Sequence, residues 1–437
     1  MNALNARNNV CVRRAEVPVK KLDVIFRGWG QNHVLGVLAD VDGQVHFAYS
    51  SGAIERGIEH SPHQLKLAPG TQTGFPRHLH GLPGFISDAL PDGWGILLMD
   101  RMFKQAGRDA ATLSPLDRLS FIGERAMGAL AFRPSVDFKQ THQDLTLLEL
   151  AQASREFMED QDTPALKILA MVGGAPHGTS PKALVQYDAL SGRISSRDDA
   201  PGEPWLVKFN AANEHKEVCA IEQVYADMAR ASGIDMPESR QFDLSKNLAA
   251  FGVKRFDRER GLRVPVQSFA GAWHANFREP SVDYVTVLRL TRLFTRDERE
   301  VLKAYQQAVF NVVFNNQDDH AKNIAFRMDE QMRWRLSPAY DLTFARGPRG
   351  QHQTSVAGAG VPTRADLLRL AGDGGVNRKA AEAIIDRICA QASTLTQALK
   401  DATIRAATVQ DIARTVNLNV KRCAVPPAAP DPSAIIH

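Results

Sequence analysis

Cysteine is scarce in this sequence: Cys11, Cys219, Cys389 and Cys423 are scattered over 437 positions without a CxxC pair. Zinc ribbons and disulfide frameworks need closely spaced thiols, so both are disfavoured and a reducing compartment fits. Long apolar runs are missing too; none approaches the roughly 20 residues of a membrane span. Residues 1–21 mix Asn, Arg and Lys without an apolar core, which is not the pattern of a secretory signal. Neither sign of charge is in excess: 53 basic and 49 acidic residues leave a net +4, too little for bulk adhesion to nucleic acid. HExxH, Walker A, G-x-G-x-x-G, internal repeats and a helix-turn-helix reader are all absent. What remains is a chain expected to be cytoplasmic, with no membrane contact. Its 44% hydrophobic and 23% charged content allows one large core or two to three domains.

Short apolar runs at residues 22–26, 34–38 and 45–49, the last two joined through Asp42-Gly43, predict a small antiparallel sheet with a hairpin. Leu90-Pro91-Asp92-Gly93-Trp94-Gly95 leads into a helix-spaced run at 96–103, and a further helix and strand are expected by residue 132. A polar stretch over 135–144 reads as a linker. Helices are expected over 145–158, from Thr163-Pro164 to Gly173-Gly174, and over 213–231, the last stopped by Gly233. Strands are expected at 182–187, 205–209 and 248–256. From residue 282 the pattern is mostly helical, apart from a polar region over 315–343. The expected organisation is a flexible tail (1–21), a β-rich N-terminal module (22–140), a part with a Gly-rich turn (141–260), a helical lobe (261–423) and a disordered Pro-rich tail (424–437).

The densest polar run, Asn316-Gln317-Asp318-Asp319-His320-Ala321-Lys322-Asn323, directly follows the apolar residues Ala308, Val309, Phe310, Val312, Val313 and Phe314. Eighteen residues after Asn323 comes Asp341, in Ser337-Pro338-Ala339-Tyr340-Asp341-Leu342. An Asp, four residues and an Asn is the spacing of a kinase catalytic loop. Asp318 is the candidate base for the attacking hydroxyl, and Asn323 and Asp341 are the candidate magnesium ligands. Lys322 can steady the transferring charge. His320 is open between an ATP contact and loop packing, and Asp319 is open altogether. Capping explains a single Asn or Asp, but not this concentration on an apolar support. A metallohydrolase using Asp318, Asp319, His320 and Asp341 is the competing chemistry, and histidines at ligand spacing are lacking for it.

Upstream, Gly173-Gly174-Ala175-Pro176-His177-Gly178-Thr179-Ser180-Pro181-Lys182 places Gly174 and Gly178 where backbone amides can cradle phosphates. By itself this is a weak signal, and a plain flexible loop has the same composition. Lys182 and Lys208 lie on expected strands and are candidate phosphate contacts, with Glu217 or Glu222 as the ion-pair partner of Lys208. Lys254-Arg255-Phe256-Asp257-Arg258 stands where a kinase hinge meets adenine. Backbone at Lys254 and Phe256 is the candidate base contact, and Asp257 the candidate contact to ribose or to the loop. A solvated charge cluster is the alternative there. ATP and Mg²⁺ are the expected ligands.

In this order the segments resemble the HipA family of bacterial serine/threonine protein kinases, the toxins of type II toxin–antitoxin pairs. Pro181-Lys182-Ala183-Leu184-Val185, Lys208, Arg255-Phe256-Asp257-Arg258, the 318–323 loop and Pro338-Ala339-Tyr340-Asp341-Leu342 carry the likeness. So do Leu90-Pro91-Asp92-Gly93-Trp94-Gly95 and residues 121–130. The resemblance implies an α+β, two-lobed protein-kinase-like fold with a small β-rich N-terminal module and a mostly helical C-terminal lobe. It implies ATP- and Mg-dependent phosphorylation of a protein Ser or Thr, with an aminoacyl-tRNA synthetase as candidate substrate. It also implies restraint by a DNA-binding antitoxin of HipB type, with DNA reached only through that partner. Family members commonly silence themselves by autophosphorylation in the Gly-rich loop. Ser180 and Thr179 are the nearest hydroxyls here, and Pro176-His177 departs from the usual loop. A catalytically silent scaffold or co-repressor and a small-molecule kinase are the other readings of the same residues.

Overall fold

Strands β1 (Lys21–Phe26), β2 (His33–Val41) and β3 (Gln44–Tyr49) form the expected meander. Asp42 and Gly43 both adopt positive φ, 52° and 81°, as the two-residue turn matched to strand twist requires. With β4 (Thr71–Gln72) and β5 (Leu130–Arg133) they make an antiparallel sheet in the order β4-β3-β2-β1-β5. Helix α1 (Gly93–Gln105) follows in the chain, and α2 (Pro115–Ile122) packs on β1 and β5; a Ser114–Asp117 capping box opens α2. The computed structural model describes residues 18–136, 144–161, 165–197, 199–402 and 404–424. The centre of the expected linker, the Thr163-Pro164 helix start, most of the N-terminal tail and the C-terminal tail from residue 425 lie outside the described residues.

Helices α3 (Leu147–Met158) and α4 (Leu166–Gly173) lead to a second antiparallel sheet. It contains β6 (Lys182–Asp188), β7 (Arg193–Ser195), β8 (Glu203–Phe209), β9 (Ser239–Asp243) and β10 (Ala249–Lys254), ordered β7-β6-β8-β10-β9. Helix α5 (Glu217–Ala231) connects β8 to β9 and stops before Gly233, at φ +79°. The helical lobe holds α6 (Tyr284–Thr295), α7 (Glu298–Phe314), α8 (Arg364–Asp373), α9 (Arg378–Ala392), α10 (Leu395–Asp401) and α11 (Ala406–Cys423). It also contains a small sheet of β11 (Val266–Ser268), β12 (Ala325–Met328) and β13 (Trp334–Leu336). No helix among the described residues is long and apolar enough to cross a membrane.

Two apolar clusters organise the interior. One joins Phe26, Phe47, Trp94 and Phe132 of the N-terminal module to Val185, Trp205 and Phe209 of the second sheet. The other joins Tyr225 of α5 and Phe251 of β10 to the helical lobe. Each such side chain fully removed from water contributes about 1.5–3 kcal/mol. The N-terminal module is therefore welded to the strands that carry the lysines. Helix α7 is buried around most of its circumference, as expected of a helix at the centre of a lobe, and it is the floor beneath the polar loop.

Glu217 ties α5 to α11 rather than to Lys208. Its carboxylate accepts from Arg405 Nε at 3.0 Å, Arg405 Nη2 at 2.6 Å, the Arg405 amide at 2.9 Å and Thr408 Oγ1 at 2.8 Å. Burial would raise this carboxyl, but the Arg405 and Thr408 bonds outweigh it and hold it at about 2, below its ordinary 4.5. A depressed carboxyl stabilises the fold above its unfolded pKa and stops doing so as pH falls through the folded one. Glu217→Gln is expected to cost about 1–2 kcal/mol at neutral pH. Its melting-temperature deficit against wild type should close between about pH 4.5 and about pH 2. A deficit that stays constant across that range would contradict the assignment.

Candidate active site

The last turn of α7 ends on Asn315 in a left-handed conformation, φ 58°, which Asn tolerates better than most residues. The chain then enters the polar loop, where neighbouring aspartates diverge. Asp319 is 1% exposed. Its Oδ2 accepts from Tyr284 Oη at 2.9 Å and lies 2.8 Å from His352 Nδ1; its Oδ1 accepts from the amides of Gln353 at 3.0 Å and Thr354 at 3.3 Å. Asn311 Nδ2 donates to Tyr284 Oη at 2.8 Å, and Asn316 Nδ2 donates to Asn311 Oδ1 at 3.1 Å and to the Asp341 carbonyl at 3.4 Å. Asp319 is thus an anchor, with no oxygen left over for a metal, and among the described residues no cluster of three His, Cys, Asp or Glu side chains is arranged to bind one. The hydrolase constellation is not assembled.

Asp318 faces outward. Gln353 Nε2 donates to its Oδ1 at 2.5 Å, and Asn323 Nδ2 donates to its carbonyl at 2.8 Å. Partial burial, joined by the nearby Asp341 and Asp319 charges, pushes the Asp318 carboxyl above the usual Asp range, a direction that suits a base. Asp341 has φ +57°, an uncommon conformation for a non-glycine residue. Its Oδ1 takes the Lys208 ammonium, which also donates to Glu222 Oε1 at 2.5 Å. Burial would raise the Asp341 carboxyl, yet Lys208 holds it at about 2. One carboxylate and one side-chain amide oxygen, on adjoining segments, are hard donors of the kind magnesium accepts, with phosphates and water completing the shell. Asn323 and Asp341 therefore fit a magnesium ion.

Lys182 and Lys208 are paired directly across β6 and β8, so two cations share one face of the sheet. Burial, with the charge of Lys208, lowers Lys182 to about 8; its ammonium donates to the His177 carbonyl. Burial would lower Lys208 as well, but Asp341 and Glu222 hold it above its ordinary value. Gly178 has φ +96°, and a Cβ there would run into the Lys182 ammonium, so only glycine fits. Gly174 caps α4. Thr179 is exposed and Ser180 half-buried.

The remaining expected residues divide. His320 packs its ring 5.7 Å from Phe277, and Lys322 sits 4.3 Å over that ring while donating to Asp92 Oδ2 at 2.9 Å. Phe256 lies 5.5 Å from the Tyr340 ring. The amides of Lys254 and Arg255 already donate to the carbonyls of Glu238 and Pro204, and the Lys254 ammonium pairs with Glu203. Asp257, 3% exposed, is spent internally: its carboxylate accepts from Arg255, Arg258 and the Gly128 amide. This corrects its expected role toward ribose: Oδ1 is held by Arg255, and Oδ2 by Arg255, Arg258 and the Gly128 amide of the N-terminal module. Sequence reasoning missed Tyr284, His352 and Gln353. They lie 33 to 35 residues from the loop aspartate each one meets, beyond any local pattern.

The chain matches the sequence model of the HipA-like C-terminal domain over residues 173–396 and that of the HipA N-terminal domain over 27–133. It is 26% identical over 168 residues to the candidate kinase Y4dM of Sinorhizobium fredii. That match covers 36% of this chain and only 41% of the relative. A solved chain from the complex of HipA, HipB and operator DNA, the toxin–antitoxin system of Shewanella oneidensis MR-1, has the same fold. The superposition gives a TM-score of 0.67 at 17% identity and covers 92% of this chain and 96% of that one.

Asp319→Ala strips a buried set of donors of their acceptor and is expected to cost about 2–4 kcal/mol, read as a lowered melting temperature. Asp318→Ala, whose side chain is exposed, should change it by less than about 1 kcal/mol. Equal melting for the two variants would refute the anchor.

Proposed function

We propose that this chain, which belongs to the HipA family, is an ATP-dependent kinase that phosphorylates a Ser or Thr hydroxyl on a protein. The observation that carries the reading is the outward-facing Asp318 beside Asn323 and Asp341, with Lys208 bridging Asp341 to Glu222. Asp318 accepts the proton of the attacking hydroxyl as its oxygen bonds to the γ-phosphorus and the bridging β,γ oxygen leaves with the bond electrons. Gln353 occupies one oxygen of that base and leaves the other for the substrate. Lys208 and Lys182 meet phosphate oxygens from the sheet, and Lys322 from the loop. Magnesium held by Asn323 and Asp341 supplies charge neutralisation on the phosphates when bound.

Family membership supports three further parts of the proposal: growth arrest through a cellular target, restraint by a HipB-type antitoxin, and DNA contact through that partner alone. An aminoacyl-tRNA synthetase is the substrate class to try first. The exposed Thr179 is better placed than Ser180 for self-modification of the Gly-rich turn.

Purified protein incubated with Mg²⁺ and γ-labelled ATP, alone and with bacterial lysate, tests the reading. Label on Thr179, Ser180 or a lysate protein is expected. Asp318→Ala and Asp341→Ala should each reduce it about a hundredfold or more, with both variants still folded. Full activity in both variants would sink the site. No transfer despite measurable ATP binding would favour a silent scaffold, and label confined to small molecules would favour a small-molecule kinase.

A further inference from the structure

The Leu90-Pro91-Asp92-Gly93-Trp94-Gly95 segment has no part in the chemistry above, yet it touches both loops of the site. Asp92 stands at the N-cap of α1, where an Asp side chain ordinarily accepts from the first-turn amides of its own helix. Here it makes no such bond. Its Oδ1 accepts the Gly178 amide of the Gly-rich turn, and its Oδ2 accepts the Lys322 ammonium at 2.9 Å. The lysine and aspartate side chains are only 10% and 13% exposed. The neighbouring backbone follows suit. Trp94 N–H donates to the Gly178 carbonyl at 3.0 Å, Trp94 Nε1 donates to the Lys182 carbonyl at 3.0 Å, and His177 Nε2 lies 2.9 Å from the Leu90 carbonyl. Gly93 permits the approach: its φ is +43°, and a Cβ would lie 2.7 Å from the Gly178 carbonyl oxygen and from Thr179 Cα.

We propose that Asp92 is a positioning residue for phosphoryl transfer: one carboxylate of the N-terminal module cross-links the Gly-rich turn to the catalytic-loop lysine and sets both against the phosphates. The inference deepens the kinase reading and rests on it. A Gly-rich turn without this tether must be ordered when nucleotide binds, which lowers affinity. A largely buried lysine without its partner loses its fixed direction toward the reacting group. Two substitutions separate these effects. Asn retains an oxygen for the Gly178 amide but carries no charge for Lys322; Ala retains neither.

Wild type, Asp92→Asn and Asp92→Ala are compared for Mg-ATP affinity, for transfer rate at saturating ATP, and for hydrogen exchange of amides 177–180 without nucleotide. Asp92→Asn is expected to bind ATP within about threefold of wild type and to transfer about tenfold more slowly at saturation. Asp92→Ala should add about tenfold weaker ATP binding, with faster exchange at the Gly178 amide. An unchanged saturated rate in Asp92→Asn overturns the inference. So do unchanged affinity and exchange in Asp92→Ala. Equal defects in both variants that simply track loss of folded protein on melting also overturn it, since they show a purely structural role. If wild type itself binds no ATP, the kinase reading falls, and the exchange comparison alone then decides whether the tether exists.

Discussion

Asp319 takes hydrogen bonds from two side chains and two backbone amides at a point where 1% of it meets solvent, and the shape of the polar loop depends on that burial. A carboxylate away from water persists only if its lone pairs are satisfied. Tyr284, His352, Gln353 and Thr354 must therefore converge on it, which fastens the 352–354 segment and α6 to the loop. Because the loop turns Asp319 inward, Asp318 one residue earlier turns outward, and the fastened segment delivers Gln353 to it. Asn311 and Asn316 pass the same constraint on to the Asp341 backbone. The floor beneath all of this is α7, apolar at Ala308, Val309, Phe310, Val312, Val313 and Phe314, with Asn311 as its polar link to the network.

A second tension lies across β6 and β8. Like charges directly opposite each other in a sheet repel, and Lys182 faces Lys208. The fold resolves this unevenly. Lys208 receives both Glu222 and Asp341, whereas Lys182 has a carbonyl and a lowered pKa. Two ammoniums thus stand beside a glycine turn, one of them held between Glu222 of α5 and Asp341 of the helical lobe. The N-terminal module closes the other side through its shared apolar core and through the Asp92 contacts.

Much of this was legible in the order of residues. Asp318, Asn323 and Asp341 stand out by spacing, and the Asp42-Gly43 hairpin and most helices follow from turn chemistry and periodicity. Glu217 and Glu222 could not be told apart as partners of Lys208. Both lie on α5, and only the packing of that helix turns Glu217 to Arg405 and Glu222 to β8. Asp257 reads as a nucleotide contact in its motif but closes on the Gly128 amide, 129 residues away in sequence. The β11-β12-β13 sheet went unread because strands of three or four residues carry too little alternation to register.

The sequence alone determined the local chemistry: which groups lie five or eighteen residues apart, where turns must form, and which helix must be buried. Family resemblance follows from the same linear spacing. The tertiary structure decided which carboxylate is buried as an anchor and which faces outward, which glutamate meets the lysine, and that a helix-cap aspartate abandons its own helix for two distant loops. Spacing along the chain constrains only neighbours. The destination of a buried charge is set by which donors the whole fold brings within about 3 Å of it.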